Sequence, residues 1–405
     1  EILIGLVGSE MCIRDSMIPI KNNVFYMGLK DPDRTIFDQL VPLPQGTSYN
    51  SYFVKGSEKT ALIDTMYPKM INEFMDNLKK AGIEKLDYII SNHAEQDHSG
   101  AIPVLVEKYP DAKIVTNAKC KENIMNMLHV DESKFIVIND GDELSLGDKT
   151  AKFMISPWVH WPDTMFTYLK EDNMLFTCDF LGAHYTQYDL FADCTPSLEE
   201  AAKRYYAEII MPFRNFAKKY TAKVRELNPE IILPSHGPIY NKPDFILNLY
   251  EEWTSDNVKN KVVIPYVSMY DSTKILVERL QSALIRAGVE TKTFDLINSD
   301  EGELAMEIVD CATVVLGSSM VLAGPHPGVV SAAYIVNALR PKLRHYSIIG
   351  SYGWGGNLTG VLEGMFTVVK PEKIDYVIVK GLPTEEDLAR IDKLAQEIVE
   401  KHKSL

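Results

Sequence analysis

The chain has no apolar run approaching the ~20 residues that a membrane helix needs. It also has no internal repeat and no low-complexity segment. A helical membrane span and a repeat architecture are therefore not expected. Its five cysteines, Cys12, Cys120, Cys178, Cys194 and Cys311, form no CxxC pair. That argues against a disulfide framework and against an appended rubredoxin-like iron–sulfur module, and it points to a reducing cytoplasm. Basic residues are the minority, 42 Lys and Arg against 56 Asp and Glu, a formal charge of −14. Such a balance disfavours nucleic acid, whose phosphates select basic surfaces. What remains is 405 residues, 46% hydrophobic and 24% charged, enough for two or three globular domains with their own cores.

The densest chemistry lies in Asn92-His93-Ala94-Glu95-Gln96-Asp97-His98-Ser99-Gly100, directly after the apolar strand Leu86–Ser91. A loop leaving a strand can aim such side chains into one pocket. If the chain stays extended, the alternating His93, Glu95 and Asp97 project to one side and His98 reaches a second position. Two imidazoles and two carboxylates exceed what one tetrahedral ion needs once distant ligands join, so the cluster reads as half of a two-metal site. A polar, solvated loop is the plainer alternative. Three further strand ends weigh against it: His160 after Met154–Val159, Asp179 closing Leu175–Cys178, and His236 after Ile231–Ser235.

HxExDH, a later His, a strand-end Asp and a final Ser-His-Gly together resemble the metallo-β-lactamase fold. Hydrolases of that superfamily usually carry HxHxDH, and Glu95 stands where their second His would be. A carboxylate oxygen in place of an imidazole moves the preference from zinc towards iron. From about residue 17 to its end the chain resembles the flavodiiron proteins. The resemblance implies one iron on His93, Glu95 and His160, a second on Asp97, His98 and His236, and Asp179 as the bridge.

The same family fuses a flavodoxin-like domain to the metal domain, and the C-terminal third is similar to one. Lys261–Val267 reads as a strand of a parallel sheet. Ser268, Met269, Tyr270, Ser272 and Thr273 then precede an amphipathic run, like a flavodoxin phosphate loop. Taken alone, such a Ser/Thr group is often only a helix cap. Ala312–Gly317 leads into Ser318, Ser319 and Met320, and Tyr346–Gly350 into Ser351, Tyr352, Gly353, Trp354, Gly355 and Gly356. These resemble the second and third flavin loops, since glycines admit a planar ligand and Tyr or Trp lies beside it. Three loops in order, each after an apolar strand, imply FMN at the carboxyl edge of a sheet.

The expected architecture is α/β: a metallo-β-lactamase-like αββα sandwich over 17–255, then a flavodoxin-like doubly wound parallel sheet over 256–405. Residues 1–16 read as a non-native extension. Helices are expected over 69–81 and over 198–220, the latter broken near Pro212. His184, five residues after Asp179, is a candidate second-layer residue, and Tyr185 and Tyr188 are weaker ones. Many relatives carry a His where this chain has Ile36-Phe37-Asp38-Gln39-Leu40, which leaves the preferred gas open.

The resemblance implies a cytoplasmic oxidoreductase that reduces dioxygen to water or nitric oxide to nitrous oxide. Electrons would come from a rubredoxin, a reduced deazaflavin or another flavoprotein, pass through FMN and reach two non-haem irons. It also implies a head-to-tail homodimer or a dimer of dimers. The rivals are a metal-dependent hydrolase with a fused flavodoxin domain, and an electron carrier whose metal domain only docks partners.

Overall fold

A computed structural model describes residues 17–405, so the expected extension over 1–16 lies outside the described residues. The chain divides into two compact units. One holds the described residues up to Phe37 with Leu43–Tyr206 and Phe213–Glu251, the other Asp38–Pro42, Ala207–Pro212 and Glu252–Leu405.

The first unit is a sandwich of two mixed sheets. One sheet runs in the order Ile18–Lys21, Val24–Tyr26, Tyr52–Lys55, Thr60–Ile63, Tyr88–Ile90, Lys113–Asn117, Phe135–Ile138. Its last three strands are joined in parallel, each to its predecessor, through helical crossovers. The other sheet runs Glu143–Ser145, Thr150–Ile155, Met165–Leu169, Met174–Cys178, Ile231–Pro234. The two inner faces meet in one core, with Val54, Ile63, Ile90 and Val115 on one side and Phe153, Met165, Phe176 and Leu233 on the other. Met174–Cys178, apolar but for Thr177, and Ile231–Pro234 are wholly buried, as expected of strands covered on both faces.

Helices coat this sandwich. Ile71–Lys80 buries Phe74 and Leu78 and leaves its Lys and Glu side to solvent. The stretch expected to be helical over 198–220 is four pieces: α-helix Pro196–Tyr205, a π-turn Tyr206–Ile210, a 3₁₀ turn Met211–Phe213 and α-helix Arg214–Leu227. Pro212 lies in the 3₁₀ turn, where its missing N–H would otherwise break the helical ladder.

The second unit is a parallel sheet in the order Glu290–Asp295, Lys259–Val267, Cys311–Val321, His345–Tyr352, with Val377–Lys380 beside the last. That is the 2-1-3-4-5 order of doubly wound sheets. Helices Ser272–Arg286 and Glu385–His402 bury Leu276, Leu280, Leu284, Ile391, Leu394 and Ile398 against it. Among the described residues no helix is long and apolar enough to cross a membrane.

His402, at the end of the last helix, is buried between the Thr313 hydroxyl at 2.7 Å and Asn260 Oδ1 at 2.8 Å. Burial, and then the neighbouring His345, lower its pKa from 6.5 to about 4. A lowered folded pKa means that the unfolded chain binds the proton more tightly. The stability is present above pH 6.5 and is lost as pH falls towards about 4. The transition of this unit is expected to weaken over that window by up to one proton's linkage. His402→Gln is expected to flatten the slope in a pH series of denaturant melts.

Candidate metal centre

The residues of the centre follow strand ends, in the loop just beyond or, for Asp97 and His98, in a helical turn after it. The chain leaves Tyr88–Ile90 through His93 and Glu95 and then turns helical over Gln96–Ser99. The amides of His98 and Ser99 both bond back to the Glu95 carbonyl, at 3.0 and 2.9 Å. This overturns the expectation that His93, Glu95 and Asp97 share one side of an extended chain. The helical turn swings Asp97 round with His98, so the motif splits two and two.

His93, Glu95, His160 and Asp179 form one group, and Asp97, His98 and His236 another; within each, the candidate ligand atoms lie within 4.8 Å of one another. His160 comes from the loop after Thr150–Ile155, Asp179 directly follows Met174–Cys178, and His236 lies two residues beyond Ile231–Pro234. In the first group Glu95 Oε2 is 3.2 Å from both His93 Nε2 and His160 Nε2. In the second, His236 Nε2 is 3.1 Å and His98 Nε2 3.4 Å from Asp97 Oδ2. Asp179 faces both: its Oδ2 is 3.7 Å from His93 Nε2 and 3.6 Å from His160 Nε2, its Oδ1 2.9 Å from His98 Nε2 and 3.4 Å from His236 Nε2. One carboxylate thus offers one oxygen to each group.

The surroundings fix which nitrogens face inward. His93 donates from Nδ1 to Asp163 Oδ1 at 3.1 Å, and the Ala94 amide donates to the other Asp163 oxygen at 3.1 Å. His236 donates from Nδ1 to the Ser48 carbonyl at 2.6 Å. Each bond commits Nδ1 and turns Nε2 to the centre, as outer partners of metal-bound histidines do. Asp163→Asn is expected to lower metal retention at the first group by roughly ten- to hundredfold, as losing such a partner typically does. Metal content after dialysis against a chelator checks it, with flavin content as the control.

Burial alone would discharge these rings, but the carboxylates beside them reverse that. Asp163 and Glu95 hold His93 well above its ordinary range, and Asp179 and Asp97 lift His236 to about 10. Burial would likewise protonate Asp179, yet His98 and His236 hold it well below the carboxylate range. A field that keeps protons this firmly is one a dication enters by displacing them. Both oxygens of the buried Asp97 carboxylate accept no hydrogen bond, which is costly unless a cation completes them. The donor set therefore fits a pair of metal ions, and its two free-standing carboxylates beside imidazoles and a shared third suit iron.

Two neighbours were not legible in the sequence. The Tyr205 phenol, buried on helix Pro196–Tyr205, donates to Asp179 Oδ1 at 3.1 Å. Thr47 holds His184 Nδ1 at 2.8 Å, while His184 Nε2 is buried without a hydrogen-bond partner. Burial, and then the charge of His236, keep His184 neutral. Its ring packs on His236 at 5.0 Å and on Tyr205 at 4.8 Å. Tyr188 is 99% exposed and lines nothing.

In the second unit the three glycine- and serine-rich loops meet at Thr273. Its hydroxyl lies 3.1 Å from Ser319 Oγ and 2.9 Å from Ser351 Oγ, and Ser319 Oγ accepts the Met269 amide at 2.9 Å. Ser268 Oγ accepts the Lys274 amide at 3.0 Å, so this hydroxyl caps the helix. Thr273 serves to tie loops together and Ser268 to cap, so neither hydroxyl points outward in the way expected of a phosphate ligand. Tyr270 and Asp271 adopt left-handed φ of 55° and 62° ahead of helix Ser272–Arg286, and Asp271, at its N-cap position, makes no side-chain cap of its own. With the Lys274 amide held by Ser268, the amides of Ser272 and Thr273 are the ones that face an anion at this helix start. Open space surrounds Gly353 and Gly355, whereas a side chain at Gly356 would strike the Ala323 carbonyl at 2.4 Å. Exposed Trp354 and Tyr270 and half-exposed Met269 sit on these loops, and Ser318 and Met320 lie at the end of strand Cys311–Val321. A helix start beside open glycines and aromatic rings fits a phosphorylated planar cofactor such as FMN.

A two-group metal centre on a β-lactamase-like sandwich, carried on one chain with a doubly wound flavin-type unit, defines a class of redox enzymes. Comparison with known proteins places the chain within it. The family described as ODP family beta lactamase matches residues 47–237. A nitric oxide reductase of Moorella thermoacetica is 34% identical, over 94% of this chain and 98% of its own length. A flavo-diiron protein of Clostridium acetobutylicum is 30% identical, over 94% and 98%. The solved rubredoxin oxygen:oxidoreductase of Desulfovibrio gigas superposes with a TM-score of 0.91 at 29% identity, over 96% of this chain and 99% of that one. The chain belongs to the flavodiiron protein family and is an oxidoreductase.

Proposed function

We propose that the chain reduces dioxygen to water or nitric oxide to nitrous oxide. FMN would be held by the loops at Ser268–Thr273, Ser318–Met320 and Ser351–Gly356. Two irons would be held by His93, Glu95 and His160 and by Asp97, His98 and His236, with Asp179 shared. The observation that carries this reading is the division of Asp179 between the groups, Oδ1 to one and Oδ2 to the other. When bound, a flavin takes electrons in pairs and releases them singly, and a ferrous pair delivers them to a small gas.

The chain's own part is placement, electrostatics and protons. Asp163 and the Ser48 carbonyl orient the two rings that they hold. The Tyr205 phenol, which burial keeps protonated, holds a proton on the shared carboxylate at 3.1 Å. Phe37 and Tyr49 wall His236, and Trp161 walls His93, with aromatic surface. Glu95 in the place of a histidine, and a flavin-type unit that hydrolysis has no use for, speak against the hydrolase.

A rubredoxin-type donor is supported by the name of the Desulfovibrio gigas relative. A head-to-tail homodimer, bringing one protomer's flavin to its partner's irons, is part of the same proposal. Thr273→Val is expected to weaken FMN at least about tenfold, the loss of one to two hydroxyl bonds that tie the three loops. Flavin titration of the full chain checks it. Unchanged affinity would remove Thr273 from the cofactor site. The function itself is tested by supplying the reduced protein anaerobically with each gas. Rapid, stoichiometric reoxidation by either one is expected, and indifference to both would refute the reading.

A further inference from the structure

The two metal groups are supported unequally. Behind His93 stands the buried carboxylate of Asp163, but behind His236 stands only the neutral Ser48 carbonyl. One hydrogen bond to Nδ1 leaves a ring free to swing about that bond, so the faces of His236 need packing. Phe37 and Tyr49 supply it, both edge-on to His236, with centroids at 5.6 and 5.7 Å and interplanar angles of 82° and 69°. Phe37 also lies 4.6 Å from His184.

Arg34 ties these rings together. Its guanidinium carbon is 4.6 Å from the Tyr67 ring centroid, 5.1 Å from Phe37 and 5.9 Å from Tyr49. It donates from Nη1 to Tyr49 Oη at 2.7 Å and from Nε to the Ile36 carbonyl at 3.0 Å. Tyr49 in turn stacks on Tyr67 at 5.0 Å and 13°. A planar cation can lie against several rings while its fork bonds a hydroxyl and a carbonyl, which an ammonium cannot match.

We propose that Arg34 is a positioning residue for the second metal group alone. It clamps Phe37 and Tyr49 against His236 and so takes the place of the charged support that the first group has in Asp163. This rests on the two-metal reading above. The consequence is an asymmetric centre, in which loss of Arg34 empties the second position and spares the first.

The test is titration of the metal-free full chain with Co(II), read by the ion's visible absorption and by metal analysis after gel filtration. Flavin content and circular dichroism report folding. The wild type is expected to retain about two ions per chain. Arg34→Met is expected to retain about one, the second weakened roughly ten- to hundredfold, with the absorption of the first ion unchanged. Arg34→Lys, still able to donate to Tyr49, is expected to recover part of the loss. Tyr49→Phe keeps the ring but loses the acceptor, so it is expected to show the same loss in milder form and serves if Arg34→Met folds poorly. Two ions with an unchanged spectrum in both Arg34→Met and Tyr49→Phe would overturn the inference, as would equal loss at both positions. A wild type that retains no Co(II) would instead sink the two-metal reading itself.

Discussion

Asp179→Ala is expected to strip the centre of iron and abolish reduction of either gas, while FMN stays bound. Asp179 is the residue whose two oxygens face both groups, so its loss removes a donor from each. It also leaves His98 and His236, both buried, without the carboxylate that steadies their charge. Metal affinity should fall beyond the roughly hundredfold that an outer partner costs, since a direct ligand is gone. The flavin loops lie in the other compact unit, so a yellow, metal-poor, inactive protein is the expected product. Iron analysis and gas-consumption assays on the same preparation check it. Normal turnover would remove Asp179 from the centre.

The second large effect is expected from Glu95→His, which recreates the hydrolase pattern HxHxDH. Glu95 Oε2 stands 3.2 Å from both imidazoles of its group, so its replacement changes the first position from mixed to nitrogen-rich. The ligand set then favours zinc over iron, and zinc carries no electrons. Metal analysis after growth with both metals should show zinc gained and iron lost, and gas reduction down by more than about a hundredfold. A variant that loads two irons and turns over like the parent would break the argument from ligand hardness.

What the sequence revealed, and what it hid, follows from the range of the contacts involved. His93, Asp179 and His236 were visible because each follows a short apolar run that could only be a buried strand, and strand ends gather on one rim. The helical turn at Gln96 was hidden. Alternation of polar residues suggests an extended chain, and nothing local shows that the Glu95 carbonyl will accept the His98 and Ser99 amides. Asp163 stood in plain view after His160-Trp161-Pro162, but its partner His93 is seventy residues away in the chain. Nothing local marks Tyr205, since only the folded chain brings its hydroxyl to Asp179. Nothing in the sequence singles out Arg34, whose ring partners Tyr49 and Tyr67 lie fifteen and more residues further along the chain. In the flavin unit three apolar runs marked the strands and the resemblance implied the doubly wound sheet, whereas the inward turn of the Thr273 hydroxyl depends on Ser319 and Ser351, from two other loops.

The central claim is that one carboxylate, Asp179, joins two irons on this chain. Mössbauer spectroscopy of the iron-loaded, air-oxidised protein tests the pairing that such sharing requires, because ferric ions couple their spins only when held close enough to share bridging ligands. The expected result is about two irons per chain, all in a coupled, diamagnetic pair at low temperature. Isolated high-spin ferric sites, or a protein that takes up zinc and refuses iron, would contradict it.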